Sequence, residues 1–125
     1  MIAAERPEFR ERFQQLPWPQ QLGNLASTLA RISGRCLRPE HDALVRDLLR
    51  EAAVLIEWSA PHVPPEFHLE LAGLQREMLA WRAVWPVEGA RHLLSLRARQ
   101  ASDLLLWRAG LIPPKEEEET WNTKR

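Results

Sequence analysis

Prolines and glycines divide the chain into five segments, and every segment carries apolar residues at helical spacing. The chain has ten prolines and five glycines. Proline starts a helix well but blocks helix interiors, and glycine often ends a helix. Twenty leucines and fifteen alanines, against twelve isoleucines, valines and threonines together, favour helices over strands. The sequence therefore predicts an all-α protein.

Length and spacing together predict one helical bundle. A chain of 125 residues is long enough for one hydrophobic core and leaves little for a second domain. We predict a single-domain bundle of four main helices plus a short N-terminal helix over residues 1–112, followed by a flexible acidic C-terminal tail over residues 113–125. The short helix is predicted over residues 7–16, and the main helices over residues 19–33, 39–59, 65–85 and 86–109.

The apolar pattern is strictest in the third main helix, where spacings of four and three alternate. It runs through Phe67, Leu71, Leu74, Met78, Trp81 and Trp85. Such a pattern predicts a packing seam about three heptads long. The pattern ends at Pro86 without a polar loop. Two arrangements are open there: a sharp corner between two helices, or one long kinked rod whose exposed seam would imply an intertwined dimer.

The same spacing assigns faces to two other main helices. In the helix over residues 39–59, Glu51 falls on the predicted solvent side with its charged neighbours. In the last helix, six apolar residues form the predicted buried face. They are Val87, Ala90, Leu94, Ala101, Leu104 and Leu105.

The first main helix lies in a long stretch without charge. Residues 13–30 contain no acidic or basic side chain, whereas a surface helix normally carries charges on one side. Either the bundle's own helices cover this side, or a partner or a second copy covers it. For the second interpretation, the candidate partner-binding residues are Trp18 between two prolines, Gln21, Asn24 and Thr28 on the helix, and Trp121 in the tail.

Arginine dominates the basic residues. The chain has fifteen arginines and two lysines, and both lysines lie in the tail. Because arginine contacts phosphate well, RNA or single-stranded nucleic acid is an alternative partner. Acidic and basic residues number seventeen each, which removes any overall attraction to nucleic acid and makes this alternative the weaker one. Its candidate residues are Arg31, Arg35 and Arg38 around the end of the first main helix, and Arg97 and Arg99 in the last.

Patterns for catalysis and metal binding are weak. Cys36 is the only cysteine and follows a helix C-terminus, where the helix dipole disfavours a thiolate. Glu88 and His92 are four residues apart, whereas the di-iron signature needs three. We therefore expect no enzyme, no metal, no cofactor and no small-molecule substrate. The single cysteine, the charged N-terminal segment and the lack of a long apolar run predict a cytoplasmic protein without a membrane span.

These expectations combine into one functional prediction. The chain is expected to be a non-catalytic protein-interaction module, such as a small cytosolic adaptor or regulatory subunit. It would bind another protein, or form a homodimer, through the first main helix and the neighbouring aromatic residues. The alternative is binding of RNA or single-stranded nucleic acid through arginines of the first and last main helices.

Overall fold

The computed structural model describes residues 6–112, which fold into five α-helices. The helices are α1 (Pro7–Gln15), α2 (Trp18–Arg35), α3 (Asp42–Ser59), α4 (His68–Val84) and α5 (Arg91–Arg108). Short 3-10 turns at Pro39–His41, Pro65–Phe67 and Glu88–Ala90 precede the last three, which therefore start three to five residues later than predicted. The described residues contain no strand. The prediction of an all-α, single-domain bundle with a short N-terminal helix is confirmed.

The core of the protein is built around α2. This helix packs against α3 and against α5, and α3 in turn packs against α4. The fully buried apolar side chains of α2 recur every three or four residues along one side, as helical periodicity requires. They are Leu22, Leu25, Leu29 and Ile32. The short helix α1 packs on α3, where the rings of Phe13 and Trp58 have centroids 5.8 Å apart.

Serine hydroxyls join α2 to α5. The Ser33 hydroxyl donates a hydrogen bond to the Ser95 carbonyl oxygen at 2.7 Å, and the Ser102 hydroxyl donates one to the Ala26 carbonyl oxygen at 2.8 Å. Because the earlier residue of α2 pairs with the later residue of α5, the two helices run antiparallel. Small side chains at these points let the helices approach closely. One side of α5 is thereby fixed against α2.

The chain turns a sharp corner between α4 and α5. α4 ends at Val84, α5 begins at Arg91, and the Trp85–Pro86 peptide bond is cis. α4 packs against α3, whereas α5 packs against α2. The structure therefore has the corner and not the single kinked rod. The predicted seam is intact up to this point: its residues are buried except for Trp81, which is half-buried.

Two predictions about solvent exposure are wrong. Glu51 is only 7% exposed, because its carboxylate accepts a 2.9 Å hydrogen bond from the Thr28 hydroxyl of α2, and such a partner offsets the cost of burying a polar group. Leu104 is exposed, because the core side of α5 runs through Leu94 and Leu105, and Leu104 lies about 100° around the helix from Leu105. An apolar side chain therefore stands at the surface of α5.

Candidate functional site

Two ion pairs connect α4 to α5. Arg97 contacts Glu77 at 2.9 Å, and Arg108 contacts Glu70 at 3.0 Å. The earlier acid pairs with the later arginine, so the two helices run antiparallel. Glu70, Glu77 and Arg97 line a shallow groove of about 310 Å³ between the helices. Six further residues line the groove: Leu69, Gly73, Leu74, Ala101, Leu104 and Leu105.

The outer side of α5 is apolar. Leu93 and Leu96 are 60% and 57% exposed, and Leu104 and Trp107 are 39% and 38% exposed. At 100° per residue, these four side chains fall within an arc of roughly 80° on the helix. Exposed Gln100 lies in the middle of that arc. The opposite side of α5 faces the core, so this helix is apolar on two opposite sides.

α4 extends this apolar surface at both ends. Leu69 at the start of α4 is 83% exposed, and Val84 at its end is 59% exposed. Since α4 and α5 run antiparallel, Leu69 lies at the level of the end of α5 and Val84 at the level of its start. We call the combined surface the α4–α5 face and define it by its large apolar residues. They are Leu69, Val84, Leu93, Leu96, Leu104 and Trp107. An exposed apolar surface of several such residues is typical of a contact site.

The sequence interpretation missed the α4–α5 face, although its signal is present. The outer side of α5 carries four apolar residues at helical spacing: Leu93, Leu96, Leu104 and Trp107. The polar residue Gln100 lies between the two pairs and interrupts the apolar pattern. The segment also carries arginines, including Arg97 and Arg99 directly before Gln100, and the apolar pattern places Leu104 in the predicted core. A search for two apolar stripes on one helix would have found the second one.

Two of the five predicted partner-binding residues are enclosed by the bundle. Gln21 is fully buried, and its amide nitrogen donates hydrogen bonds to the carbonyl oxygens of Phe13 and Leu16 at 3.1 and 3.2 Å. Thr28 is 5% exposed and is bonded to Glu51. These side chains join α2 to the end of α1 and to α3. They offer no surface to a partner, because the bundle's own helices cover them.

The other three predicted partner-binding residues differ in accessibility. Trp18 is half-buried and packs edge-on against the Phe67 ring, with centroids 5.4 Å apart. This contact ties the start of α2 to the turn before α4. Asn24 is exposed. Trp121 lies outside the described residues, as does the predicted tail. The four described candidates therefore do not form one shared surface.

The five arginines of the nucleic-acid alternative also differ in what they contact. Arg31, Arg35, Arg38 and Arg99 are exposed. Arg97 is half-buried, and Glu77 of α4 neutralises its charge. A phosphate would have to compete with that carboxylate for Arg97. Of the two predicted arginines in α5, only Arg99 is exposed.

A charged cluster surrounds Arg91, which is 6% exposed at the start of α5. Its guanidinium donates to both carboxylate oxygens of Asp42 at 2.7 and 3.0 Å, to Glu88 at 2.9 Å, and to the Cys36 carbonyl oxygen at 3.0 Å. It also lies over the Trp85 ring, 5.3 Å from the centroid. Hydrogen bonding to Arg91 lowers the pKa of Asp42 and that of Glu88. The cluster fastens the corner to the starts of α3 and α5.

Cys36 and Glu88 are both engaged within the bundle, Cys36 by burial and Glu88 by an ion pair. The Cys36 side chain is fully buried, and burial raises the pKa of its thiol, so the thiol stays protonated and shielded. Glu88, which the sequence places near His92, is bound to Arg91 instead. Within residues 6–112, no three side chains of histidine, cysteine, aspartate or glutamate are grouped as metal ligands would be.

The length and apolarity needed to cross a membrane are not combined in any of the five helices described. Comparison of the chain with protein-family models, with curated proteins and with solved structures gives no match. The α4–α5 face is the candidate site on the geometry of this chain alone.

Proposed function

We propose that this protein is a non-catalytic interaction module, a small adaptor or regulatory subunit of the cytoplasm, whose α4–α5 face binds a helix of another protein or of a second copy. The outer side of α5 carries the proposal, because Leu93 and Leu96 are more than half exposed there. Covering such side chains gains roughly 25 cal/mol for each Å² of apolar surface removed from water. A partner helix would supply that cover.

The shape of the face supports a helical partner. Amphipathic helices that bind one another present apolar residues at helical spacing; on α5, Leu93 and Leu96 are three residues apart and so are Leu104 and Trp107, with Gln100 between the two pairs. Trp107 adds the residue type that most often dominates the binding energy of protein interfaces. The Glu77–Arg97 and Glu70–Arg108 pairs join the two helices beside the groove, and the exposed side chains of Leu69 and Leu104 line its walls.

The non-catalytic part of the proposal is supported by the use of the buried polar groups. The buried carboxylate of Glu51 is hydrogen-bonded to Thr28, and the buried guanidinium of Arg91 to Asp42 and Glu88. These contacts hold neighbouring segments of the bundle together, which gives both buried charges a structural role. The nucleic-acid alternative has less support than the apolar face, because Glu77 occupies the guanidinium of Arg97.

The test is the size of the protein in its native lysate. The doubly substituted chain Leu93→Glu/Leu96→Glu places two charges on the outer side of α5 without touching the core. On size exclusion of the lysate, we expect the wild-type chain to elute well above its monomer mass of 14.5 kDa, and the double variant to elute as a monomer. Circular dichroism checks that the variant keeps its helices.

Leu79→Glu is the matched control. Leu79 is 43% exposed on α4 and does not belong to the α4–α5 face, so this variant should elute with the wild type. The proposal is wrong if the wild-type chain elutes as a monomer, or if Leu93→Glu/Leu96→Glu elutes at the same large size as the wild type.

A further inference from the structure

The partner of the α4–α5 face follows from the order of residues along α5. Resting on the function proposed above, we infer that the partner is a second copy of this chain, and that α5 of one copy packs antiparallel to α5 of the other across a two-fold axis at Gln100.

The apolar stripe is symmetric about Gln100. Leu96 and Leu104 lie four residues before and after it, and Leu93 and Trp107 lie seven residues before and after it. A two-fold dimer uses the same surface on both copies, so each residue must meet its counterpart at the mirrored position. Antiparallel pairing at Gln100 places Leu96 against Leu104 of the second copy, and Leu93 against Trp107. An unrelated helix would not require this order.

The charges beside the stripe are complementary in the same arrangement. Arg99 is exposed and Asp103 is half-buried, on the same flank of the stripe. In an antiparallel pair, this flank of one helix lies beside the same flank of the other. Arg99 then lies within about one turn of Asp103 of the second copy, and the contact occurs twice. Neither residue forms an ion pair with any described residue of its own chain, so both remain available.

Gln100 and the α4 residue Leu69 are also compatible with a two-fold axis at Gln100. Gln100 would meet Gln100 of the second copy, and a side-chain amide both donates and accepts hydrogen bonds, so two glutamines can satisfy each other. Leu69 lies at the level of Trp107, where the second copy brings its Leu93. The α4 residues thus widen the contact at both ends without disturbing the pairing of α5.

Cross-linking of the purified 125-residue chain tests both the partner and the orientation. Gln100→Cys places a thiol on the axis, and we expect a short bis-maleimide to join two such chains in high yield. Leu93→Cys is the matched control, because antiparallel pairing separates the two substituted positions by about 21 Å along the helices. Cys36 is fully buried, so the wild-type chain measures the background. Efficient cross-linking of Leu93→Cys would overturn the antiparallel arrangement.

Charge reversal tests the flank contacts. By sedimentation equilibrium, Arg99→Asp or Asp103→Arg should each weaken the dimer about tenfold, because each change creates two like-charge contacts. The double reversal Arg99→Asp/Asp103→Arg should restore the wild-type dissociation constant. Asp47→Arg, exposed on α3, should have no effect. Failure of the double reversal to restore the dimer overturns the predicted register.

The two proposals can fail separately. The purified chain could be monomeric while the chain in its lysate elutes at a large size that Leu93→Glu/Leu96→Glu abolishes. This result would overturn the proposal that the partner is a second copy, and the proposed interaction module would stand. A chain that is monomeric in both settings overturns both proposals. Protection of Leu93 and Leu96 from hydroxyl-radical labelling in a monomeric chain, at every dilution, would also overturn the proposed dimer. Another segment of the same chain would then cover the face.

Discussion

Leu94→Ala should lower the free energy of unfolding by about 3–4 kcal/mol, because removing a fully buried leucine loses its transfer free energy and leaves a cavity. Leu94 is fully buried on the side of α5 that faces the core. A loss of this size is a large fraction of the stability of a small domain. Urea denaturation at low protein concentration measures it.

The control for this loss is Leu79→Ala on α4. Leu79 is 43% exposed, so its truncation should cost about 1 kcal/mol or less. The bundle described above requires a clear difference between the two variants. Equal losses from Leu94→Ala and Leu79→Ala would mean that α5 does not face the core through Leu94.

Arg91→Met should change both the stability of the protein and its dependence on pH. At pH 7 the substitution removes the charge that balances Asp42, and it leaves the Cys36 carbonyl oxygen without its donor. The loss in unfolding free energy should exceed that of Arg97→Met, whose ion pair with Glu77 is partly exposed and is expected to contribute at most about 1 kcal/mol.

The pH dependence follows from the lowered pKa of Asp42 and of Glu88. A carboxyl group whose pKa is lower in the folded chain stabilises folding above its unfolded value, near pH 4, and this stability is lost as the pH falls through the folded value. The wild-type chain should therefore lose stability below about pH 4. In Arg91→Met both carboxyl groups return towards their ordinary pKa, so this acid loss should become smaller. An unchanged slope in acid denaturation curves would contradict the role given to the cluster.

Much of the fold could be predicted because helix limits and core faces are local properties. Proline marks the turns before α3 and α4, and the spacing of Leu71, Leu74 and Met78 determines which side of α4 is buried. The corner at Pro86 could not be predicted in this way. Whether two adjacent helices continue or turn depends on which neighbours they pack against, and that is a property of the whole bundle.

The candidate site was harder to predict because exposure is decided by helices far away in the sequence. The uncharged side of α2 was open to two interpretations, and α1 and α3 cover it at Gln21 and Thr28. The outer stripe of α5 is the opposite case: Leu104 belongs to an apolar pattern, but no other helix of the described chain lies over it. Periodicity shows that α5 carries apolar residues, and only the packing shows which of them stay in water.

Hydroxyl-radical footprinting of the wild-type chain tests most directly whether the outer side of α5 is a contact surface. The labelling rates of Leu93, Leu96 and Leu104 are compared between dilute and concentrated protein, with Leu79 as the internal reference. We predict that labelling of these three leucines falls as the protein concentration rises, while that of Leu79 stays constant. Rapid labelling of Leu93 and Leu96 at every concentration, in purified protein and in lysate alike, would contradict the account.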